Sequence, residues 1–232
     1  SLAMIWAAHG AEAPVGLETL YRLDRLPAFK SSVNVGSVSS YDRTGANADY
    51  RHLKAGESLD LFSEDGPGEI RHIWITTERD PENLRSLVLR AYWEGQTHPS
   101  IECPLGDFMG FAHGKVMAYQ SAAHSVGENA GMNIWLPMPF STRARFTLTN
   151  DGKENVPLFY QIDYTINDKH PTDVGRLHVL FRRENPTTQK QDFELLPQAV
   201  QRTMRQMSNP MSARAKGDRR MYPPRARCPR RG

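Results

Sequence analysis

The sequence predicts an all-β domain, an antiparallel β-sandwich of the jelly-roll type, with one short helix before it. From Gly68 onward, short runs rich in β-branched and aromatic residues recur about every 10 to 15 residues. Turn sequences such as EGQTHP, NDGK and NDKHP separate these runs, and no helical periodicity lies between them. Seven or eight such strands indicate an antiparallel sandwich, and eight of them form a jelly roll.

The predicted strands define which side chains should fill the core. The predicted strands are EIRHIWITTE, LRSLVLRAYW, KVMAYQS, MNIWLPM, RARFTLTN, PLFYQIDYTI and RLHVLFRR. In EIRHIWITTE, alternation puts Ile70, His72 and Trp74 on one face of the strand. Because burial of one aromatic side chain contributes roughly 1.5–3 kcal/mol, we expect the aromatic residues of these runs to face mostly inward. The five in question are Trp74, Tyr92, Trp135, Phe146 and Tyr160.

The chain before these strands predicts a helix and then a long loop. Leucines three residues apart, from Leu17 to Leu26, indicate one short helix over residues 15–26. Residues 31–53 are rich in Ser, Gly and Asn and poor in bulky apolar side chains, which predicts a long loop or an irregular sheet edge. Loops of this size in a compact domain are usually functional.

The two ends of the chain differ in composition from the predicted jelly-roll domain, residues 15–197. Residues 1–13 resemble the end of a secretory signal peptide, which predicts a secreted or periplasmic protein; a short strand or helix is the alternative. Residues 198–232 are a basic tail rich in Arg and Pro, predicted to be disordered or read in a shifted frame. A polybasic arm for nucleic acid or an anionic surface is the functional alternative.

The charge distribution excludes some functions. The 232 residues include 29 Lys and Arg and 26 Asp and Glu. Ten of these basic residues and one acidic residue lie in 201–232, which leaves 19 basic and 25 acidic residues in 1–200. An acidic domain argues against a nucleic-acid-binding surface on the fold. The longest apolar run, from Leu2 to Ala8, is far shorter than the roughly 20 residues of a membrane span, so no span is predicted.

The sequence contains no motif for a metal or a nucleotide cofactor. The eight histidines form no HxH or HExxH pattern, and Cys103 and Cys228 form no Cys-x-x-Cys pair. A GxSxG elbow, a phosphate-binding loop and a dinucleotide fingerprint between a strand and a helix are also absent. We therefore predict neither a metal site nor a cofactor.

A polar loop is the first candidate site. The segment SSYDRTGANAD brings together the side chains of Tyr41, Asp42, Arg43, Asn47 and Asp49. Hydroxyl, amide, guanidinium and carboxylate groups are those that bind sugars, because sugar hydroxyls both donate and accept hydrogen bonds. The alternative is that Asp42 and Asn47 cap turns and Arg43 pairs with Asp42.

Carboxylates in the strands are the second set of candidates. Glu102 and Asp107 lie five residues apart in PSIECPLGDF. They could act as acid and nucleophile in glycoside cleavage if roughly 5–5.5 Å separated them; otherwise they bind backbone amides in a turn. Asp163 lies on an otherwise apolar strand, which favours pairing with an arginine, either Arg143 or Arg145, over catalysis.

Seven segments taken together resemble one known family. They are GLETLYRLDRLP, SSYDRTGANADY, EDGPGEIRHIWIT, LRAYWEGQTHPSIECPLGDFMGFAHG, NIWLPMPFSTRARFTLTN, YQIDYTI and LFRRENPT. In order and spacing they are similar to the first part of the glycoside hydrolase family 172 proteins. The resemblance covers about residues 15–197, and it is specific because strings such as SSYDRTG and PLGDF are unusual.

The resemblance implies a fold, an activity and a set of site residues. It implies two tandem jelly rolls and assembly into trimers or multiples of trimers. It also implies a carbohydrate substrate, whose α-linked fructofuranosides or arabinofuranosides are hydrolysed with retention of configuration. Tyr41, Asp42, Arg43 and Asn47 match the family loop near the sugar pocket, which lies partly across a subunit boundary. Ala46 stands where Gly is commoner in the family, which reduces backbone freedom.

The catalytic glutamates of the family are expected elsewhere. They belong to the second jelly roll, in a Trp-Gly-Glu-Gly-Glu strand and a Gly-Thr-Gly-Thr-Glu-Asp-Tyr turn, and neither string occurs in the 232 residues. Two hypotheses follow. The chain is either the inactive first half of a truncated or frame-shifted α-furanosidase, or a jelly roll that binds glycans or assembles without catalysis.

Overall fold

The computed structural model describes residues 31–78, 80–111, 115–191 and 193. These residues form thirteen strands and two short helices. The strands are β1 (Asn34–Ser39), β2 (Arg51–Leu53), β3 (Ser58–Asp65), β4 (Gly68–Thr77), β5 (Leu87–Trp93), β6 (Ile101–Pro104), β7 (Tyr119–Gln120), β8 (His124–Val126), β9 (Met132–Ile134), β10 (Met138–Phe140), β11 (Arg143–Asn150), β12 (Val156–Ile166) and β13 (Val179–Leu180). The helices are α1 (Pro81–Ser86) and α2 (Leu105–Phe108).

The strands form two packed sheets, as predicted. In the first, the β4 sheet, the order is β1-β12-β4-β9-β8-β7, with β10 on β4 and β2 on β12. In the second, the β5 sheet, the order is β13-β6-β5-β11-β3. The eight principal strands of the sandwich are, in chain order, β1, β3, β4, β5, β6, β9, β11 and β12. Counted in that order, the first, eighth, third and sixth lie side by side in the β4 sheet, and the second, seventh, fourth and fifth lie side by side in the β5 sheet. This strand order is that of a jelly roll, and the predicted fold class is confirmed.

Alternating side chains build the core between the sheets. In β5, every second residue from Leu87 to Trp93 is buried, and in β11 Ala144, Phe146 and Leu148 are buried in the same way. The rings of Trp93 and Phe146 meet edge to face with their centroids 5.4 Å apart. These strands have one apolar and one solvent-facing side, which is the pattern expected of an antiparallel sandwich.

A bulge in β4 overturns the predicted alternation of that strand. Asp163 on β12 pairs with His72, and Tyr164 pairs with Ile70, so Arg71 is the extra residue on β4. The bulge reverses which face each later residue occupies. Ile73 is buried, whereas His72 lies on the outer face instead of sharing the inner face with Ile70.

Only part of the predicted inward aromatic set faces the core. Phe146 and Tyr160 are buried, as predicted. For Trp74, Tyr92 and Trp135 the prediction is wrong: the first two are half-buried, and Trp135 is 37% exposed. The bulge turns Trp74 outward. Tyr92 follows the buried Ala91 on β5, and Trp135 directly follows the buried Ile134 at the end of β9, so both side chains lie on outer faces.

The predicted loop over residues 31–53 contains an edge strand. β1 pairs antiparallel with β12 over six residues. Its sequence has a glycine at position 36 because Gly36 lies beneath Tyr164, where an added Cβ would be 2.5 Å from Cζ of the ring.

The predicted strand LRSLVLRAYW begins later than predicted. Its first three residues belong to α1, and β5 begins at Leu87.

The chain divides after Phe181 into two compact units. In the described part of the second unit, the Glu184 carboxylate accepts hydrogen bonds from the amide and hydroxyl of Thr188, at 3.0 and 2.7 Å.

Three predicted segments lie outside the described residues: the helix over 15–26, the segment 1–13 and the tail 198–232. The domain end at residue 197 stays a prediction. No helix in the described ranges is long and apolar enough to cross a membrane.

The bulge is held by buried charges. Arg71 Nε lies 2.8 Å from Glu69 Oε1, and its Nη2 lies 3.2 Å from Asp168 Oδ2. The side chains of the two acids are only 3% and 2% exposed, whereas that of Arg71 is 47% exposed. Thr165 Oγ1 also donates to Asp168, at 3.0 Å. Arg71 therefore bridges two buried carboxylates at the bulge, and His170 Nε2 lies 3.5 Å from the second oxygen of Glu69.

We predict that Arg71→Leu lowers the free energy of unfolding by about 3 kcal/mol, because it leaves buried carboxylates without their cation. Chemical denaturation of the purified protein measures this loss. Arg143→Leu is the matched control: Arg143 pairs with Asp65, whose side chain is 78% exposed, and the change should cost less than about 1 kcal/mol. Equal losses in the two variants would contradict the assignment.

Candidate functional site

The polar loop after β1 is closed onto the β4 sheet by Ser40. The Ser40 amide donates to the Tyr160 carbonyl at 3.0 Å, and the Tyr160 amide donates to Ser40 Oγ at 3.0 Å. Ser40 Oγ also donates to the carbonyl of Asp49 at 2.8 Å. Both ends of the loop are thus attached to β12 through one buried hydroxyl.

Two carboxylates of the loop organise its backbone. Asp42 Oδ1 accepts hydrogen bonds from the amide and hydroxyl of Thr44, at 2.9 and 2.7 Å, and Oδ2 accepts from the Ala48 amide at 3.3 Å. The hydrogen bonds from Thr44 are the main reason that the pKa of Asp42 is lowered. Asp49 Oδ1 accepts from the Asp42 amide at 2.7 Å. The two acids therefore occupy turn-forming positions, as the alternative interpretation of this loop held for Asp42.

The same turn leaves other side chains facing solvent. Tyr41 is 53% exposed, and the Arg43 guanidinium lies over its ring, 5.9 Å from the centroid. Arg43 has no carboxylate within salt-bridge distance among the described residues, so the predicted pair with Asp42 is not formed. Asn47 adopts a left-handed φ of 63°. The structure brings the five predicted residues into one loop, and their contact with a sugar stays a prediction.

Glu102 and Asp107 belong to the other sheet and are paired with arginines. Glu102, on β6, lies 2.9 Å from Nε of Arg90. Asp107, in α2, lies 2.9 Å from Nε of Arg85 and its side chain is 12% exposed. Nearby, burial raises the pKa of the Cys103 thiol to about 12, which makes it a poor nucleophile. These side chains have structural partners. Neither acid lies in the polar loop over residues 41–49, which we call the Tyr41 loop.

A second polar cluster, which the sequence did not predict, lies on the outer face of the β4 sheet. We call it the outer-face platform, and it consists of His72, Trp74, Asn133, Trp135, Gln161 and Asp163. Two cross-strand rows place these side chains together, one through Gln161, Trp74 and Asn133 and the other through Asp163 and His72. Trp135 continues the second row directly after β9.

A histidine connects the platform. His72 Nδ1 lies 3.0 Å from Asp163 Oδ2, and His72 Nε2 lies 3.0 Å from Asn133 Oδ1. The amide of Asn133 is oriented by donation from Nδ2 to the Ser125 carbonyl at 3.3 Å. Both ring nitrogens therefore lie at hydrogen-bonding distance from a side-chain oxygen, and the plane of the ring is fixed from both sides.

Asp163 is paired with this histidine and not with an arginine, so the prediction of Arg143 or Arg145 as its partner is wrong. Both arginines belong to β11 of the other sheet and pair with Asp65 and Asp60 there. Burial raises the pKa of Asp163, but hydrogen bonds from His72, Gln161 and Ser37 outweigh burial and the net pKa is lowered. The signal that could have located this pair is the run of polar residues at alternate positions of two strands.

A shallow cleft lies on the outer face of the β5 sheet. Its volume is about 350 Å³, and it is lined by Tyr92, Gly95, Gln96, Arg143 and Arg145. The Arg145 guanidinium lies over the Tyr92 ring at 5.6 Å and donates from Nε to Asp60 at 2.7 Å. Because both arginines of the cleft are paired with acids, the cleft offers less positive charge than its lining suggests.

The loop beside this cleft is fixed by Glu94. Its carboxylate accepts hydrogen bonds from the amides of Ser141 and Thr142, at 2.8 and 2.6 Å, and from Arg176 Nε at 2.6 Å. Burial raises the pKa of Glu94, but these hydrogen bonds outweigh burial and lower the pKa to about 2. Glu94 is therefore an ionised anchor of the turn before β11.

Comparison with known proteins gives the class and then the family. Two packed antiparallel sheets in jelly-roll order, with polar clusters on loops and outer faces, define a β-sandwich module. Residues 31–174 match the family model described as the GH172 first beta-sandwich domain. The match covers more than half of the chain, and the chain belongs to glycoside hydrolase family 172, as its sequence segments predicted. None of the curated proteins compared with the chain matches it.

Solved structures similar to this chain come from viral capsids. A chain of the cyanophage Pam1 capsid asymmetric unit is 10% identical with a TM-score of 0.31, over 70% of this chain and 99% of that chain. The VP2 protein of infectious bursal disease virus is 14% identical with a TM-score of 0.26, over 59% of this chain and 32% of that chain.

We predict that Asp42→Ala loosens the Tyr41 loop without unfolding the domain. Removal of the carboxylate deletes the acceptor of the Thr44 and Ala48 amides, so these two amides should exchange with solvent at least about tenfold faster. Hydrogen exchange followed by NMR measures this change, and the amide of Tyr160 is the internal control. Unchanged exchange at Thr44 would contradict the role of Asp42 in the turn.

We predict that Glu94 makes stability depend on acid pH. Its pKa is about 2 in the folded chain, against 4.5 for an unperturbed glutamate, so the unfolded chain takes up a proton first as the pH falls. The stabilisation by Glu94 is complete above about pH 4.5 and is lost between that pH and about 2. Denaturation curves of the wild type and of Glu94→Gln should converge over this interval. Curves that stay parallel from pH 6 to 2 would contradict the prediction.

Proposed function

We propose that this chain is the first β-sandwich of a retaining, exo-acting glycoside hydrolase that cleaves α-linked furanosides, either fructofuranosides or arabinofuranosides. The observation that carries the proposal is membership of glycoside hydrolase family 172 over residues 31–174. The proposal includes a secreted or periplasmic location and assembly into trimers or multiples of trimers.

The Tyr41 loop supports a role in sugar binding. Asp42 and Asp49 hold the backbone of the turn, which leaves the side chains of Tyr41, Arg43 and Asn47 to face a ligand. A phenol, a guanidinium and an amide together offer both donors and acceptors to sugar hydroxyls. Preorganisation of the turn lowers the entropy cost of binding.

The carboxylates of this sandwich do not support catalysis by this chain alone. Retaining cleavage needs two carboxyl groups roughly 5–5.5 Å apart, one of them a general acid with a raised pKa. Glu102 and Asp107 instead each form an ion pair with an arginine, at 2.9 Å from its Nε. We therefore assign catalysis to the glutamates of a second β-sandwich, and we expect residues 1–232 to be inactive by themselves.

The alternative is a non-catalytic module that binds glycans or supports assembly. The pairing of Glu102 with Arg90 and of Asp107 with Arg85 favours it equally, because both hypotheses expect an inactive chain. Restoration of activity separates them. A second β-sandwich of the family, added in trans or as a fusion, should produce furanosidase activity only under the first hypothesis.

We predict that the purified chain hydrolyses neither an aryl α-D-arabinofuranoside nor an aryl α-D-fructofuranoside above the buffer rate. Binding of the corresponding oligosaccharides should remain and should weaken about tenfold in Tyr41→Ala and in Arg43→Ala, since each substitution removes a hydrogen-bonding group from the site. Isothermal titration measures the affinity. Tyr92→Ala, on the opposite sheet, is the control and should bind as the wild type does.

Hydrolysis that Glu102→Gln or Asp42→Ala abolishes would overturn this assignment, because it would place the chemistry in the first sandwich. Equal binding by the wild type and Tyr41→Ala would remove the loop from the sugar site.

A further inference from the structure

We propose that the outer-face platform is an oligosaccharide-binding surface that extends the Tyr41 loop site across the β4 sheet, with Trp135 as the stacking base for a sugar ring. This inference deepens the proposed function and rests on it. It concerns residues that the loop hypothesis does not include.

Trp135 is held in one orientation although it is exposed. Its ring is stacked on that of His72, with the centroids 5.3 Å apart and the planes at 10°. His72 is fixed in turn at both nitrogens by Asp163 and Asn133, each at 3.0 Å. Gln161 donates to Asp163 at 2.9 Å and completes the network. Four side chains from three strands thus support one tryptophan, of which 37% faces solvent.

A sheet row connects the platform with the loop. Ser39, Gln161, Trp74 and Asn133 pair in register across β1, β12, β4 and β9. Tyr41 is next to this row, because its amide donates to Ser39 Oγ at 3.3 Å. Three inter-strand spacings of 4.7–4.9 Å give a row of roughly 15 Å. A ligand that contacts both ends is an oligosaccharide and not a monosaccharide.

The chemistry of the platform favours a glycan over a protein surface. The side chains of His72 and Asp163 are 22% and 31% exposed, and Gln161 is exposed. An apolar protein partner would bury these polar groups without replacing their water contacts, which is costly. Sugar hydroxyls can donate to and accept from the same groups, while the apolar face of a sugar ring covers the indole.

The test uses the full chain with defined sugars. The indole N–H signal of Trp135, assigned by its loss in Trp135→Phe, is followed in NMR spectra during titration with an α-linked arabinofuranosyl tetrasaccharide and a fructofuranosyl tetrasaccharide. We expect a saturable shift of this signal with one of the tetrasaccharides and none with the matching monosaccharide at equal concentration.

Four variants determine which part of the surface binds. Trp135→Ala should weaken tetrasaccharide binding about tenfold. His72→Ala, which removes the support of the indole, should weaken it several-fold, and Asp163→Ala, which removes the acceptor at His72 Nδ1, should also weaken it. Tyr41→Ala tests the loop in the same assay, and Tyr92→Ala on the opposite sheet is the control for loss of an outer-face aromatic residue.

The outcomes separate this inference from the proposed function. Weakening by Trp135→Ala supports the platform, whether or not Tyr41→Ala also weakens binding. Weakening by Tyr41→Ala alone leaves the proposed function intact and overturns the platform. If no tetrasaccharide shifts any signal, both proposals fail. A Trp135 signal that shifts with protein concentration and not with sugar would assign the surface to self-association and would also overturn the platform.

Discussion

The bulge at Arg71 determines which side chains of β4 face the core and which face outward. Arg71 is the extra residue of the bulge, and it bridges Glu69 and Asp168, whose side chains are almost fully buried. Two buried carboxylates without a cation would cost several kcal/mol. Arg71 would share the face of Glu69 in a regular strand as well, and what the bulge changes is the face of each residue that follows Arg71.

The bulge has consequences on both faces of the sheet. On the inner face it allows Ile73 and Ile75 to join Ile70 in the core, where all three are at most 1% exposed. On the outer face it brings His72 beside Asp163 and turns Trp74 toward Gln161. Strict alternation would instead place His72 and Trp74 on the inner face with Ile70 and would turn Ile73 and Ile75 to the outer face.

The sequence predicted those features that depend on local pattern. β11 (Arg143–Asn150) coincides with the predicted run RARFTLTN because polar and apolar residues alternate in its sequence from Arg143 to Thr149. The turn at Asp42 was foreseen as an alternative because Asp and Asn side chains commonly cap turns, and Asp42 accepts from the Thr44 amide. The bulge and the His72–Asp163 pair were missed, and β1 was foreseen only as the alternative of an irregular sheet edge. The His72–Asp163 pair joins residues 91 positions apart, and β1 is recognisable only once Tyr164 is seen above Gly36.

The acids of this sandwich share an electrostatic character that bears on its chemistry. The pKa values of Asp42, Glu94 and Asp163 are all lowered, in each case by hydrogen bonds to the carboxylate. Such groups are ionised at neutral pH, so they can orient a backbone, a guanidinium or an imidazole, but they cannot donate the proton that departure of an alkoxide requires. General acid catalysis needs the opposite environment, in which burial or a second carboxylate raises the pKa. Asp42, Glu94 and Asp163 are therefore suited to holding loops and a binding surface in shape, which agrees with our assignment of bond cleavage to a second sandwich.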